Sequence, residues 1–345
     1  MAEKKAENKD NVVLYHSPCH DGFTAAWIAS RFLGYDNTTI TPMRYNVDYS
    51  QEAEFLDGLR ERAVYIVDFS LEPKKGLMSV LAAANSAVML DHHKSAMEKL
   101  EAVDAFCANR IRYDEFIARC QSEYSMSIDE TLEFEMLLDK LDIRLNNDMS
   151  GAGLAWDYFY KTRPPKLVKH VEDRDLWKFH DENTRAFMMN LMSYPMKLDV
   201  YDELFRKTRS LPGYCDFLAE GRAQLRLFNQ YIDQLSSMPL KRLQLPGFEQ
   251  FKGVVFNANA MFTSELGNRL VEKFDFALIW AFDNKNNDIV VGLRSRADGV
   301  CDVSEIAKCH FNGGGHYAAS GGRITLEKFE TILKGSENVR LKDRS

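Results

Sequence analysis

The sequence predicts an α/β protein: a doubly wound domain on a parallel sheet, then a helical linker and a second, smaller α/β domain. Three observations lead there. Short apolar runs without polar alternation, at Val12–Tyr15, Val64–Val67 and Ala87–Leu90, stand between helical patterns in the first third of the chain. Strands buried on both faces of a parallel sheet read this way, and their alternation with helices indicates βαβ units. With 345 residues the chain exceeds the roughly 100–200 residues of a usual domain, so two domains plus connecting helices are expected. Beyond Gly253 the texture turns β-rich, which places the second domain there.

In chain order, the opening MAEKKAENKD is charged and lacks an apolar h-region, so it reads as a loose tail and not as a signal peptide. The first apolar run leads into a helical pattern over Phe23–Phe32. The stretch from about 95 to 165 reads as a helical insertion, locally acidic around Asp129–Asp139. Its carboxylates alternate with apolar residues at helical spacing and mark a solvated face. After Arg163-Pro164-Pro165, the segment Leu167–Trp177 runs from apolar residues into carboxylates. Residues from about 185 to 244 read as further helices, including Leu218–Leu235. Phe276–Phe282 and Ile289–Arg294 flank the turn-like Asp283–Asp288 and predict an antiparallel hairpin. A short capped helix over Asp302–Cys309 leads to Phe311–His316. The expected domains are therefore 1–190, a helical linker at 191–250, and 251–345.

Composition narrows the function. Hydrophobic residues make up 45%, charged residues 28%, and there are nine prolines, as in a folded globular protein. A net charge of −7 argues against long duplex nucleic acid, whose binding depends on many Lys and Arg contacts to phosphate. Any anionic substrate should be small, or met by local positive charge. No 18-residue apolar run suggests a membrane span. Cys19, Cys107, Cys120, Cys215, Cys301 and Cys309 lack CxxC spacing, which fits reduced thiols and a cytoplasmic location.

Each apolar run of the first domain is followed at once by groups that bind metals: His16 with Asp21-Gly22, then Asp68, then Asp91-His92-His93. Open parallel sheets bind ligands at the carboxyl ends of their strands. One acid there can be a turn or a cap; three such groups at one edge, two with histidine, point to a metal centre. Glu172–Asp175 offers a fourth acidic cluster. His170, His180 and His310 lie outside these motifs and read as structural. Mixed His and Asp donors suit a redox-neutral Mn(II)-type centre, and two ions about 3.5–4 Å apart can serve an in-line phosphoryl displacement. Asp68, alone after the middle run, is placed to bridge them. Gly313-Gly314-Gly315-His316 can bring backbone N–H groups and an imidazole to an anion. With Arg294-Ser295-Arg296 upstream, a phosphate or nucleotide clamp reads better than a plain turn.

The ordered set of motifs resembles the DHH–DHHA1 phosphoesterase superfamily over nearly the whole chain. His16–Gly22 is similar to its first motif, Val67-Asp68 to the second, Asp91-His92-His93 to the third, and Glu172–Trp177 to the fourth. Arg294 with Gly313–His316 matches the C-terminal substrate-binding module. The resemblance implies a Mn-binding N-terminal DHH domain, a helical linker and a DHHA1 domain across a cleft. Members cleave short oligonucleotides, dinucleotides such as pGpG or pApA, cyclic dinucleotides, pAp or single-stranded DNA; relatives cleave pyrophosphate or polyphosphate. It implies His16 and Asp21 as first-motif ligands, Asp68 as the bridge and His92 as ligand of the second metal. His93 would contact the reacting phosphate or act as an acid. Asp175 would be the fourth-motif ligand, with Asp173 its rival, and Arg294, Ser295, the glycines and His316 would hold substrate.

Cys19 departs from the family pattern, standing where the first of two aspartates is usual. A thiolate is a soft ligand poorly matched to Mn(II). The first site could use Cys19 with Fe or Zn, recruit His20, or bind its ion weakly; equally, Cys19 could simply pack in the loop. Mg(II) is a further option for the centre. The expected function is hydrolysis of short oligonucleotides or linear dinucleotides by an exonuclease-like, metal-dependent phosphodiesterase. A pyrophosphatase or exopolyphosphatase, and a non-catalytic nucleotide-binding regulator with a degenerate metal site, are the alternatives. Homodimers are common in the family.

Overall fold

The computed structural model describes residues 9–45, 47–334 and 337–339. Of the tail expected to be loose over residues 1–10, residues 1–8 lie outside the described residues. Lys9 and Asp10 are held instead, Lys9 donating to Tyr35 O and Thr38 O at 3.0 Å and Asp10 O accepting from Ala63 N at 2.9 Å, because they lead directly into the central strand Asn11–His16. The chain divides into two compact units, Met1–Leu225 and Arg226–Ser345.

In the first unit β1 (Asn11–His16), β2 (Thr38–Met43), β3 (Ala63–Val67), β4 (Ser86–Asp91) and β5 (Leu141–Leu145) form one sheet in the order β2-β1-β3-β4-β5. All neighbours are parallel. The predicted doubly wound sheet is present, and its three central strands β1, β3 and β4 are continuous apolar runs because both faces are covered. Val13 and Tyr15 pack in one core cluster with Trp27, Phe187 and Tyr201, while Val12 and Leu14 pack in another with Val64, Ile66 and Phe116. The helix His20–Leu33 is buried from Asp21 to Ser30, so it carries no solvated face. Strand order reverses between β1 and β3, and a crevice at their carboxyl ends is the expected ligand site of such a sheet.

Two of these strands carry no apolar run. β2, with sequence TTITPM, is an edge strand that includes a proline, a position where a missing N–H is tolerated. β5 is the other edge and lies inside the 95–165 stretch read as helical. That stretch does hold helices at Glu101–Cys107, Tyr113–Glu123 and Ile128–Leu137. The half-exposed alternation of LDIRL is too short to stand out beside them. In the acidic helix Ile128–Leu137, capped by Ser127 and Glu130, Asp129 and Glu133 face solvent.

The second unit carries a mixed sheet built from β6 (Leu240–Leu243), β7 (Gly253–Asn257), β8 (Phe276–Asp283), β9 (Asp288–Ser295), β10 (Gly314–His316), β11 (Ala319–Thr325) and β12 (Glu337–Val339). Their order is β10-β11-β9-β8-β7-β6-β12. Only β7 and β8 are parallel neighbours among the described pairs. β8 and β9 make the expected hairpin, joined in register from Phe276↔Ser295 to Asp283↔Asp288. β6 falls in the stretch read as helical up to residue 244; its two central residues are Lys and Arg, which hides the strand. The core of this unit gathers Phe276, Leu278, Val291, Leu293, Ile306, Phe311 and Phe329.

Candidate metal centre

β1 ends on His16, and the next helix starts at His20 with Asp21 in its first turn. Asp21 is 2% exposed. Its Oδ1 accepts from Ser150 Oγ at 2.7 Å and Ala152 N at 3.1 Å, and its Oδ2 from Gly151 N at 2.6 Å. These donors form the start of the helix Gly151–Tyr160, where unpaired N–H groups and the helix dipole favour a carboxylate. Asp21 thus ties the turn after β1 to the helix that follows β5.

Asp68 follows β3 directly, with φ 53°, a left-handed conformation that aspartate tolerates better than most side chains. Its side chain is 1% exposed. Close packing leaves it little room: a Cβ on Gly22 would come within 2.9 Å of Asp68 Oδ2, and one on Gly151 within 2.4 Å of Asp68 Cβ. Both positions require glycine for this approach.

β4 delivers the histidines. His92 Nε2 stands 3.1 Å from Asp68 Oδ1, 3.5 Å from Asp175 Oδ2 and 3.8 Å from Asp21 Oδ2. His16 Nδ1 stands 3.5 Å from Asp68 Oδ2. Asp91 turns inward too: its Oδ1 lies 2.6 Å from His93 Nδ1 and accepts from the backbone N–H of His92 at 2.7 Å. Asp91 therefore orients the His93 imidazole and ties down the backbone of His92, a role its place before them did not reveal.

The electrostatics favour a cation. Burial pushes the Asp21 carboxyl well up, as do Asp175 and Asp68 beside it. Burial also pushes the Cys19 thiol well up, helped by the same carboxylates. For His92, burial opposes protonation, but Asp68 and Asp175 overcome it and raise the imidazole to about 10. Without a metal the imidazolium supplies the missing positive charge. Neither oxygen of the buried Asp68 carboxylate has a well-formed hydrogen bond, although buried carboxylates are normally satisfied. Three donor sets lie within 4.8 Å: His16, Cys19 and Asp68; Asp68, His92 and His93; Asp21, His92 and Asp175. They overlap at Asp68 and His92, as the ligands of two neighbouring ions would, and their oxygen and imidazole donors fit divalent transition ions.

The acidic cluster of the helix Lys166–Asp175 divides. Asp175, with a side chain 27% exposed, reaches His92. Asp173 is taken up elsewhere: its carboxylate accepts from His180 N at 2.7 Å, Asp181 N at 3.1 Å and Thr184 Oγ1 at 2.5 Å. Two residues apart on a helix, the two carboxylates point to different sides. Glu172 Oε2 accepts from Ser150 N at 3.2 Å. His20 turns from the cluster, its Nδ1 3.0 Å from Tyr201 Oη, whereas Cys19 stays with it. Ser150 and Gly151 were missed in the sequence; the small-residue run Ser150-Gly151-Ala152-Gly153 was the available signal. Outside the motifs, His170 sits between Thr184 Oγ1 at 2.9 Å and Tyr214 Oη at 2.8 Å, a structural histidine.

In the second unit, His316 pairs with Ala319 and Ala319 with Arg294 across β10, β11 and β9. Directly paired residues share a face of the sheet, so Arg294 and His316 flank a small residue on one side. Arg294 donates to Ser264 Oγ and to Leu293 O, both at 2.8 Å. Ser295 is not brought to that strip. As the next residue in the strand it faces the other way, and its buried hydroxyl donates to Tyr317 O at 3.3 Å. Gly314 and Gly315 are paired with Gly321 and Ser320 in the sheet, and Gly313 N donates to Ala307 O at 3.1 Å. The Gly313 N–H is thus engaged within the protein. Nothing lies within 4 Å of a Cβ placed on Gly314. Among the described residues no helix is long and apolar enough to cross a membrane.

No family model matches the chain. It is 27% identical over 332 residues to the uncharacterized protein R106 of Acanthamoeba polyphaga mimivirus, spanning 91% of this chain and 68% of that one. It is 26% identical over 338 residues to oligoribonuclease NrnB of Bacillus subtilis (strain 168), spanning 93% of this chain and 75% of that one. Among solved structures it is similar to a pGpG-specific phosphodiesterase, PggH from Vibrio cholerae, at 13% identity and TM-score 0.41, covering 94% of this chain and 96% of that one. Its ordered motifs, and an oligoribonuclease alignable along almost its whole length, make the chain similar to the DHH–DHHA1 phosphoesterase superfamily.

Proposed function

We propose that the protein is a metal-dependent phosphodiesterase that hydrolyses short oligonucleotides or linear dinucleotides. The carrying observation is the buried Asp68 carboxylate, without well-formed hydrogen bonds and shared between donor sets that contain His16, Cys19, His92 and His93. The likeness to an oligoribonuclease over 93% of the chain and the net charge of −7 both support a short substrate.

In this reading His16, Cys19, Asp21, Asp68, His92 and Asp175 hold two divalent ions, Mn(II) in the first instance. When bound, such ions supply Lewis acidity at the phosphoryl oxygens and lower the pKa of a water nucleophile. Asp21, fixed by three hydrogen bonds, keeps the ligand set from relaxing. Asp91 keeps a proton on His93 Nδ1 and favours the imidazolium, so His93 can give its second proton, on Nε2, to the leaving oxygen and is left as the neutral Nδ1–H imidazole. Arg294 and His316 bind substrate phosphate. A cytoplasmic location fits this substrate class.

The test is incubation of purified protein with Mn(II) and, separately, labelled pGpG, pAp, pyrophosphate and a 24-mer. Turnover of pGpG and loss of nearly all of it in Asp68→Ala are expected. Turnover of pyrophosphate alone, or full activity in Asp68→Ala, would overturn the reading.

A further inference from the structure

Beside the metal centre the first unit has a cavity of about 270 Å³ that no step above uses. Its wall begins at Phe69, the residue after Asp68, and at Tyr45, whose ring centroid lies 4.8 Å from that of His16, 5.9 Å from that of His93 and 4.9 Å from that of Phe69. Phe69 is buried and forms a fixed wall, whereas Tyr45 is 43% exposed and presents its ring. Arg44, Lys75 and Lys99 also line the cavity, together with the acids Asp48 and Glu72, so its basic groups outnumber its acidic ones by one. Lys99 is neutralised by Glu72 at 2.7 Å. The exposed Arg44 and Lys75 have no ion-pair partner among the described residues, in a chain whose net charge is negative.

An aromatic platform beside unneutralised cations is the combination that holds a nucleotide: the base stacks on the ring and the phosphate meets the charge. The volume lies near the lower end of the ~300–1,000 Å³ of small-molecule sites, which suits one nucleotide unit and not a polymer. An arginine and a lysine together favour phosphate over a plain hydrophobic ligand. The aromatic wall adjoins the donor sets, so a unit seated here would have its next phosphate close to Asp68 and His93.

We infer that this cavity is a mononucleotide subsite, with Tyr45 stacking on the base and Arg44 and Lys75 holding a phosphate. The inference rests on the reading of the protein as acting on short nucleotides and assigns where one nucleotide of the substrate sits.

The experiment is equilibrium dialysis of 5′-AMP, 3′-AMP, adenosine and inorganic phosphate against the full chain in EDTA, which removes any contribution of bound metal. At least one AMP isomer is expected to bind, with adenosine and phosphate each at least fivefold weaker. Arg44→Ala and Lys75→Ala should each weaken that AMP about tenfold. Tyr45→Ala should weaken it by fivefold or more, the range of one base–aromatic stack, and Tyr45→Phe should restore it. All three sites are exposed, so the fold is retained, which circular dichroism checks. Absence of AMP binding, binding unchanged in Arg44→Ala and Lys75→Ala, or phosphate binding as tightly as AMP would overturn the subsite. AMP binding lost as expected in a protein that hydrolyses no phosphodiester would leave the subsite standing and overturn the proposed activity.

Discussion

Gly151→Ala probes the packing behind Asp68 without touching any donor atom. A Cβ at position 151 would lie 2.4 Å from Asp68 Cβ, 2.8 Å from its Cγ and 2.7 Å from its Oδ1. Ordinary carbon contacts are about 3.5–4 Å, so the two residues must separate by roughly 1 Å. Asp68 follows a central strand, and Gly151 N donates to Asp21 at 2.6 Å. Relief in either direction therefore moves a carboxylate of the centre. Overpacking of this kind costs about 1–3 kcal/mol, offset by up to about 1 kcal/mol from the better helix propensity of alanine. The net, about 0–3 kcal/mol, is small against a typical stability of about 5–15 kcal/mol, so the fold survives with a Tm lower by a few degrees. A displacement of about 1 Å in a catalytic constellation costs about 100-fold in rate, or about 2.7 kcal/mol at 1.36 kcal/mol per tenfold. The assay is Mn(II)-dependent turnover of pGpG with bound metal and thermal melting measured on the same preparation. The expected result is turnover down about 100-fold, Mn(II) bound more weakly and the fold retained. Wild-type turnover and wild-type Mn(II) affinity in Gly151→Ala would refute the packing argument.

Other consequences are open to measurement. Asp175→Asn should lose metal affinity about 10–100-fold at unchanged stability, while Asp173→Asn should keep the metal and lose about 1–2 kcal/mol through its hydrogen bonds; the reverse pattern, read by metal analysis and melting, would exchange their roles. In metal-free protein the His92 imidazole lies at about 10, above its ordinary value near 6.5. A raised pKa gives stability that is fully present below about pH 6.5 and lost as pH rises through about 10, so the Tm of EDTA-treated protein should fall across that window and His92→Asn should flatten the fall. Metal binding needs the neutral imidazole, so apparent Mn(II) affinity should rise over the same range; an affinity independent of pH would remove His92 from the ligands. His316→Ala should raise KM for pGpG about tenfold with metal content unchanged, and loss of metal would show that the residue supports the centre.

Much of the site was legible because metal ligation needs particular side chains and parallel strands deliver them at their ends. His16, Asp68 and His92 each stand at or just after the end of a run whose apolarity already marked it as a central strand. The edge strands β2 and β5 were hidden for the complementary reason: a strand covered on fewer sides carries a mixed pattern, as in TTITPM and LDIRL. Between Asp173 and Asp175 the sequence favoured Asp175 only through its place before Leu176-Trp177, with Asp173 a close rival. Their separation depends on the turn of one helix, which gives Asp173 to His180, Asp181 and Thr184 and Asp175 to His92.

The sequence by itself determined the fold class, the order of the motifs and the types of donor, because burial patterns and ligand chemistry are local properties of the chain. Only the tertiary structure decided which donors meet. Asp21 lies 130 positions from Gly151, and its three hydrogen bonds exist because the helix after β5 begins beside the turn after β1. The same applies to Tyr45, Phe69, Arg44 and Lys75, whose shared cavity is formed by segments that no spacing rule connects. Long-range juxtaposition is set by how the layers pack, and that information is spread over the whole core.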